Sequence, residues 1–201
     1  MLIILVISGS AFGQTKYTST DSVCAGSQDV VYGIMNPTPG STYQWTLSGG
    51  GTLDASLNAP DTLVQVDWGT TVGTYNLSVV EVSSNGCFGD TISLDIVINA
   101  LPTIALVGDS ICANDGALVQ ATLTGTGPWI IDYTDGTGNY TDTATTTTWT
   151  LDNLPTYATA QTITVSSLED LGTGCQADAS TLPNTSIYVY PKPNTGQIFH
   201  Y

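Results

Sequence analysis

Four cysteines are the residues whose type and spacing say most about the chemistry of this sequence. The interval from Cys24 to Cys87 equals the interval from Cys112 to Cys175. Neither pair has the CxxC-like spacing of metal or redox sites, so in an exported chain these thiols predict disulfide bonds. Four cysteines allow three pairings, and the repeated spacing selects Cys24 with Cys87 and Cys112 with Cys175. Each bond would then close one domain.

The residues around the cysteines repeat as well. Asp21-Ser22-Val23-Cys24 matches Asp109-Ser110-Ile111-Cys112, and Asn85-Gly86-Cys87 matches Thr173-Gly174-Cys175. Because local context and spacing agree, the sequence predicts a tandem repeat.

The elements that must position these cysteines are β-strands. Short runs of Val, Ile, Leu, Tyr and Trp alternate with polar residues in period two, Gly, Pro and Asp fill the gaps, and helical periodicity is missing. This pattern predicts an all-β chain of two tandem immunoglobulin-like sandwiches, residues 14–99 and 100–190, each with one disulfide. The predicted strands are 28–34, 42–47, 62–68, 74–82 and 90–98 in the first domain, and 103–107, 117–124, 128–134, 145–151, 161–167 and 185–190 in the second.

The charge of the chain limits its partners. Two Lys plus Arg against 17 Asp plus Glu give a net charge of −15. A nucleic-acid backbone or an anionic membrane would be repelled, so nucleic acid is excluded as a partner. The scarcity of Lys also leaves the edges of the sheets unprotected, which keeps self-association through edge strands open.

The first 13 residues predict a signal peptide. An apolar run at residues 2–7 is followed by the small residues Ala11 and Gly13, with cleavage expected after Gly13. Basic residues before the run are missing, which leaves open whether Met1 is the true start. The run is too short for a transmembrane anchor and no later run is apolar enough, so we expect an extracellular or cell-surface protein without a transmembrane segment.

Both repeats resemble domains of bacterial surface proteins. The segments that carry the first resemblance are Tyr43-Gln44-Trp45-Thr46, Val66-Asp67-Trp68-Gly69, Gly73-Thr74-Tyr75 and Asn85-Gly86-Cys87. In this order they resemble the PKD-like domains of Bacteroidetes surface proteins. The second repeat, from Gly127 to Gly136 with a later Gly174-Cys175, is similar to immunoglobulin-like repeats of large adhesins in the same phylum.

The resemblance implies a non-catalytic role. Such domains serve as stalks, spacers or ligand-binding units in adhesins, filaments and gliding-motility assemblies, and their partners are other surface or outer-membrane proteins. Many relatives leave the cell by the type IX secretion route with a C-terminal sorting domain. Here only residues 191–201 follow the last predicted strand, which departs from that pattern.

The C-terminal tail, residues 191–201, is Pro-rich and differs from the rest of the chain. Its last residues, Ile198, Phe199, His200 and Tyr201, could add as an extended segment to the sheet edge of a partner. The alternative is a frayed terminus that folds back on the second domain.

Three carboxylates suggest a calcium site. Asp132, Asp135 and Asp142 lie in one loop-rich stretch and offer the oxygen ligands that calcium prefers. Asp-Gly and Gly-Asn steps are also ordinary hairpin chemistry, because they tolerate positive φ. No other cofactor is expected.

Five tripeptides match the Asp-(Ser/Thr)-aliphatic acceptor pattern of Bacteroidetes O-glycosylation. The acceptor residues are Ser22, Thr62, Thr91, Ser110 and Thr143. The alternative is that each Asp ends a turn and the β-branched residues after it begin a strand.

Four tryptophans are the basis of an alternative function, which is carbohydrate binding. Trp45, Trp68, Trp129 and Trp149 could stack against sugars, or they could fill the sandwich cores. For catalysis the sequence offers little, because the sole histidine is His200 and the cysteines are committed. We therefore predict that the chain is not an enzyme, with a hydrolase that uses only carboxylates as a third hypothesis.

Overall fold

The computed structural model describes residues 4–7, 20–54, 61–198 and 200 of the 201-residue chain. The chain forms two compact units, residues 1–100 and 101–201. The predicted boundary, between Asn99 and Ala100, adjoins this division. Within the described ranges the one helical element is the 3₁₀ turn Ala179–Thr181. The prediction of an all-β chain with immunoglobulin-like sandwiches is confirmed.

The first unit contains two four-stranded sheets. Its strands are β1 (Ile4–Ile7), β2 (Thr20–Cys24), β3 (Val30–Ile34), β4 (Thr42–Leu47), β5 (Gly51–Asp54), β6 (Leu63–Trp68), β7 (Gly73–Val82) and β8 (Ile92–Asn99). One sheet has the order β1-β3-β6-β5, and the other has the order β2-β8-β7-β4. All neighbours are antiparallel except β2, which is parallel to β8.

The core of the first unit comes from alternate residues on both sheets. In β6, Val64, Val66 and Trp68 point inward and are buried, whereas the residues between them are half-buried. The Trp68 ring meets the ring of Tyr32 edge to face, with a centroid separation of 6.3 Å. Every second residue of a strand is buried when one face of its sheet is covered. This alternation in the sequence is the reason that β6 could be predicted.

The second unit contains a larger sheet and two smaller ones. Its strands are β9 (Thr103–Val107), β10 (Asp109–Cys112), β11 (Asp115–Gly116), β12 (Val119–Thr124), β13 (Trp129–Thr134), β14 (Asn139–Ala144), β15 (Thr148–Leu151), β16 (Thr156–Tyr157), β17 (Gln161–Asp170), β18 (Cys175–Gln176) and β19 (Asn184–Tyr190). The larger sheet has the order β10-β19-β17-β13-β14, with β18 paired to β17. A second sheet has the order β15-β12-β9, and β11 pairs with β16.

The same alternation builds the second core. Val119, Ala121 and Leu123 of β12 are buried, and so are Trp129 and Ile131 of β13. They belong to one apolar cluster, to which β10, β17 and β19 each contribute buried residues. Two sheet faces thus enclose one core, as a sandwich requires.

Each unit contains one short strand that pairs in parallel with its last strand. In the first unit β2 lies beside β8, with Cys24 opposite Asn99. In the second unit β10 lies beside β19, with Cys112 opposite Tyr190. Each repeat therefore places its first cysteine next to the point where its last strand ends.

The predicted signal peptide, residues 1–13, is only partly covered by the structure. Ile4–Ile7 forms β1, which pairs with β3 so that Ile4 lies opposite Ile34. Ala11, Gly13 and the expected cleavage point lie outside the described residues.

Candidate functional site

Two of the four cysteines differ from the prediction. Cys87 and Cys112 carry free, exposed thiols. The predicted bonds Cys24–Cys87 and Cys112–Cys175 are therefore not formed in the structure.

The first unit shows why its own two cysteines cannot pair. Cys24 ends β2 at the level where Gly73 begins β7, because both strands flank the end of β8. Cys87 follows the other end of β7, where Val82 bridges to Phe88. At about 3.3 Å per residue, the length of β7 separates the two cysteines by roughly 30 Å. A disulfide needs Cα atoms within about 7 Å of each other.

The second unit repeats this arrangement. Cys112 lies beside the end of β19, close to the start of β17 at Gln161. Cys175 pairs with Asp170 at the far end of β17. We call the end of a unit where its last strand ends the trailing end, and the opposite end the leading end. Cys24 and Cys112 then lie at trailing ends, and Cys87 and Cys175 lie at leading ends.

Asp135, one of the predicted calcium ligands, is buried and fully occupied by protein donors. Its Oδ1 accepts hydrogen bonds from the amide and hydroxyl of Thr137 (2.8 and 2.7 Å) and from the amide of Gly138 (2.7 Å). Its Oδ2 accepts hydrogen bonds from the hydroxyls of Tyr140 (3.0 Å) and Tyr157 (2.9 Å). Burial opposes ionisation, but the hydrogen bonds from Gly138 and Thr137 outweigh it and hold the pKa of Asp135 well below its usual value.

Asp142 and Asp132 have separate sets of partners. Buried Asp142 accepts hydrogen bonds from the hydroxyl of Tyr133 (3.1 Å) and from the side-chain amide of Asn153. Burial, followed by the charge of Asp142, raises the pKa of Tyr133. Asp132 accepts hydrogen bonds from the hydroxyls of Thr141 (2.6 Å) and Ser167 (2.7 Å), which lower its pKa.

The structure does not bring these three carboxylates together as a ligand set. Over the described residues, no group of three or more His, Cys, Asp or Glu side chains could hold a metal ion. The groups that donate hydrogen bonds to Asp132, Asp135 and Asp142 instead hold the β13–β14 hairpin against neighbouring segments. The geometry therefore favours an ordinary hairpin over a calcium site in this stretch.

A fourth carboxylate, Asp170, was not singled out from the sequence. It is buried at the leading end of the second unit and accepts hydrogen bonds from the amides of Thr126 (2.6 Å), Gly127 (3.0 Å) and Gly172 (2.9 Å). It thus holds the turn that leads into β13. The closely spaced glycines Gly125 and Gly127, both with positive φ, were the available sequence signal for a backbone turn at this place.

The C-terminal tail is exposed where it is described. Residues 191–198 and His200 are exposed, and Ile198 retains 99% of its accessible surface. Lys192 forms an exposed ion pair with Asp115, with an N–O distance of 2.6 Å. Phe199 and Tyr201, the other predicted docking residues, lie outside the described residues.

The predicted glycosylation residues lie on the surface. Ser22, Thr91, Ser110 and Thr143 are exposed, and Thr62 is half-buried. All except Thr62 and Thr91 lie within strands, in agreement with the alternative of strand positions.

The tryptophans belong to the cores. Trp68 and Trp129 are buried, and the half-buried Trp45 and Trp149 pack against the apolar clusters. The indole nitrogen of Trp45 donates to the carbonyl of Asp61 (2.8 Å), and that of Trp129 donates to the carbonyl of Thr124 (3.1 Å). No indole ring is exposed as a stacking platform.

Two exposed tyrosines lie on one face of β19, because Tyr188 and Tyr190 are two residues apart in this strand. We call them the trailing patch, since β19 ends at the trailing end of the second unit. Each keeps 60% of its accessible surface. Val107 and Leu118 of the same unit are also exposed. Tyr188 also borders a shallow groove. Its other lining residues are Gly108, Asp109, Ser110, Asn184, Thr185 and Ser186.

The first unit is similar to a known domain family. Residues 11–96 match the profile of the PKD-like domain. The resemblance predicted for the first repeat is supported by this match. A search of curated proteins found no match.

Several solved structures are similar in form to this chain. The fibronectin(III)-like modules of CbhA from Clostridium thermocellum share 16% identity over 99% of this chain and 100% of that chain, with a TM-score of 0.39. The D00–D0 domains of intimin share 11% identity over 94% and 100% of the two chains, with a TM-score of 0.42. The I67–I69 fragment of titin shares 11% over 85% and 62%, with a TM-score of 0.45. Likeness at these levels has no bearing on what this chain binds.

The profile match and the fold describe different parts of the chain. Residues 11–96 are similar to a PKD-like domain, and the chain as a whole has an all-β, immunoglobulin-like sandwich fold. Among the described residues, no helix is long and apolar enough to cross a membrane.

Proposed function

We propose that this chain is an exported, non-catalytic module that binds other surface proteins and contributes to an extracellular adhesin, filament or gliding-type assembly. The observation that carries the proposal is the trailing patch. Two tyrosines on one face of β19 remain exposed on a chain whose net charge of −15 otherwise favours a solvated surface. Tyrosine is enriched where proteins bind one another, because its ring is apolar and its hydroxyl is polar.

Capture of partners from the outer-membrane fraction of the native organism tests this proposal. The immobilised chain is compared with the double variant Y188S/Y190S. Val72→Ser is the matched control, since it removes an exposed aliphatic side chain from the first unit. We expect the double variant to lose a captured outer-membrane protein that the wild type and V72S retain. Equal capture by all three proteins would contradict a role for the patch.

The tail provides a separate docking proposal. Ile198 is almost fully exposed at the end of an extended segment, which suits addition to the sheet edge of a partner. Deletion of residues 191–201 should abolish capture of the partner if the tail docks. If the tail-deleted chain captures the partner as well as the full chain does, the docking role of Ile198 to Tyr201 is wrong.

Export through a signal peptide is the remaining part of the proposal. It rests on the apolar run and the small residues before Gln14. Mass spectrometry of the protein recovered from the cell surface or medium should show Gln14 as the first residue. Recovery of the protein only inside the cell, with its first residues intact, would contradict export.

Carbohydrate binding is a second candidate, favoured by the groove beside Tyr188. Its hydroxyl, amide and carboxylate side chains are placed next to an exposed ring, the combination that sugars require. Titration with a panel of polysaccharides should give a saturable signal that Tyr188→Ala removes. Tyr190→Ala is the neighbouring control, because Tyr190 does not line the groove. Flat titrations across the panel would count against this function.

A further inference from the structure

We propose that the groove beside Tyr188 takes an arginine side chain from the protein partner. The guanidinium group stacks on the Tyr188 ring and donates hydrogen bonds to the Asp109 carboxylate. This inference rests on the proposed function, because it names the chemistry of the surface protein that the trailing patch would bind. Every residue that it uses belongs to the second unit.

The groove lies where the edge strand β10 meets β19. Ser110 is opposite Tyr188 in this parallel pair, so the two side chains point to the same face of the sheet. Gly108 borders the groove before β10 begins, and a Cβ atom there would lie 2.1 Å from the carbonyl oxygen of Ser186. This close approach of the two segments therefore needs a glycine. The groove has a volume of about 680 Å³, which is within the range of ligand sites, about 300–1,000 Å³.

The Tyr188 ring is the first recognition element. Its side chain keeps 60% of its accessible surface, and its exposed neighbours on the same sheet face, Ser110 and Ser186, carry no charge. An aromatic ring attracts a cation to its face, and the planar guanidinium of arginine stacks there with most of its donors still available. At an exposed position this contact strengthens binding by roughly two- to fivefold.

The Asp109 carboxylate is the second recognition element, and the backbone already holds it in place. Its Oδ1 accepts a hydrogen bond from the amide of Ser110 (2.7 Å), and its Oδ2 accepts one from the amide of Leu118 (2.8 Å). An ionised carboxylate has about four acceptor positions, so each oxygen can accept a further hydrogen bond from a guanidinium group. Because Asp109 is half-buried and fixed before the partner arrives, binding orders fewer groups.

The charge of the second unit selects a cationic partner. Residues 101–201 contain nine Asp or Glu residues and a single Lys, Lys192. The Nζ atom of Lys192 lies 2.6 Å from Asp115 Oδ1, so this cation is already paired. The residues that line the groove include one carboxylate and no basic side chain. A basic segment is therefore attracted to the groove and an acidic segment is repelled.

Titration of the ¹⁵N-labelled full-length chain with a short peptide tests the site. The probe is a blocked five-residue peptide with two arginines between serines. The matched probe carries citrulline in place of each arginine, which keeps the shape of the side chain and removes its charge. We expect saturable NMR shifts of the Ser110 and Tyr188 amides with the arginine peptide alone, and weaker binding at higher ionic strength.

Two matched pairs of variants separate the groove from general charge attraction. Y188L removes the ring and Y188F keeps it, so the Kd of the arginine peptide should rise about two- to fivefold in Y188L alone. D109N removes the carboxylate of the groove, whereas D152N removes an exposed carboxylate outside it. The Kd should rise by a similar factor in D109N and stay unchanged in D152N. Thermal unfolding is compared first, and the Tyr188 pair decides the result if D109N is destabilised.

Equal binding of the arginine and citrulline peptides would overturn the inference, as would equal weakening by D109N and D152N. A saturable response of the Tyr188 amide to a polysaccharide, with none to the arginine peptide, would assign the groove to sugars instead. Partner capture that is lost in Y188S/Y190S, without binding of the arginine peptide, would overturn the arginine site and leave the proposed function intact. Peptide binding at Tyr188 with unchanged partner capture would support the arginine site and contradict the proposed function.

Discussion

The hydroxyl of Tyr157 donates a hydrogen bond of 2.9 Å to Asp135 Oδ2 inside the second unit. Asp135 lies in the turn between β13 and β14, and Tyr157 lies in β16, which pairs only with β11 in the described chain. This contact therefore ties a two-stranded sheet to the hairpin of the larger sheet. Both residues are buried, so water does not compete for the bond.

Replacement of Tyr157 by Phe should weaken the second unit. The change removes one donor from a buried carboxylate and leaves the packing of the ring intact. We expect the free energy of unfolding to fall by about 1.5–3 kcal/mol, the usual contribution of a hydrogen bond to a charged group. Urea unfolding followed by tyrosine and tryptophan fluorescence measures it. Tyr188→Phe, at an exposed ring, is the control and should unfold like the wild type.

Asp135 should make stability depend on pH in the acid range. Its folded pKa lies below the unfolded value of about 3.9, so its contribution is complete above that value and is lost as pH falls toward the folded pKa. Asp135→Asn lacks this titration. The wild type should be more stable than D135N by about 2 kcal/mol at pH 7, and the difference should shrink below about pH 4. A constant difference from pH 7 to pH 2 would contradict the assignment.

Asp170 should control the turn before β13. Asp170→Asn replaces one acceptor oxygen with an amide group that faces backbone donors, so at least one buried N–H group loses its partner. We expect a loss of about 2–3 kcal/mol and faster proteolysis within the turn. The exposed Asp152 offers the matched substitution D152N, which should have little effect. Equal protease resistance in both variants would show that Asp170 does not hold the turn.

Much of the fold could be predicted from local pattern. Strands such as β4, β6 and β7 alternate buried and less buried residues, so their period-two signal is strong. The missed strands β2 and β10 are short, begin with polar residues and bury a single aliphatic side chain each, Val23 or Ile111. Their partners lie far away in sequence and run parallel to them, and no local pattern reports such a pairing.

The cysteine prediction failed for the same reason. Equal spacing showed correctly that Cys24 corresponds to Cys112 and Cys87 to Cys175. It carried no information about which end of the sandwich each cysteine would occupy, because that depends on the parallel pairing of β2 and β10. Buried acceptors such as Asp170 were equally invisible, since an isolated Asp in a sequence looks the same whether it faces solvent or three backbone amides.

Thiol counting tests directly whether Cys87 and Cys112 are free. The native protein should react with two equivalents of a thiol reagent, at Cys87 and Cys112. After reduction and denaturation all four cysteines should react. The variants C87S and C112S should each lower the native count by one thiol. A native protein with no reactive thiol would restore the bonds within each repeat.

The parallel pairing of β2 with β8 also decides how the first unit responds to tension. β2 begins at Thr20, β8 ends at Asn99, and the two strands lie side by side. Force applied at these two points slides one strand along the other, so the hydrogen bonds between them are loaded together in shear. The unit should therefore resist stretching until the whole ladder of hydrogen bonds breaks in a single step.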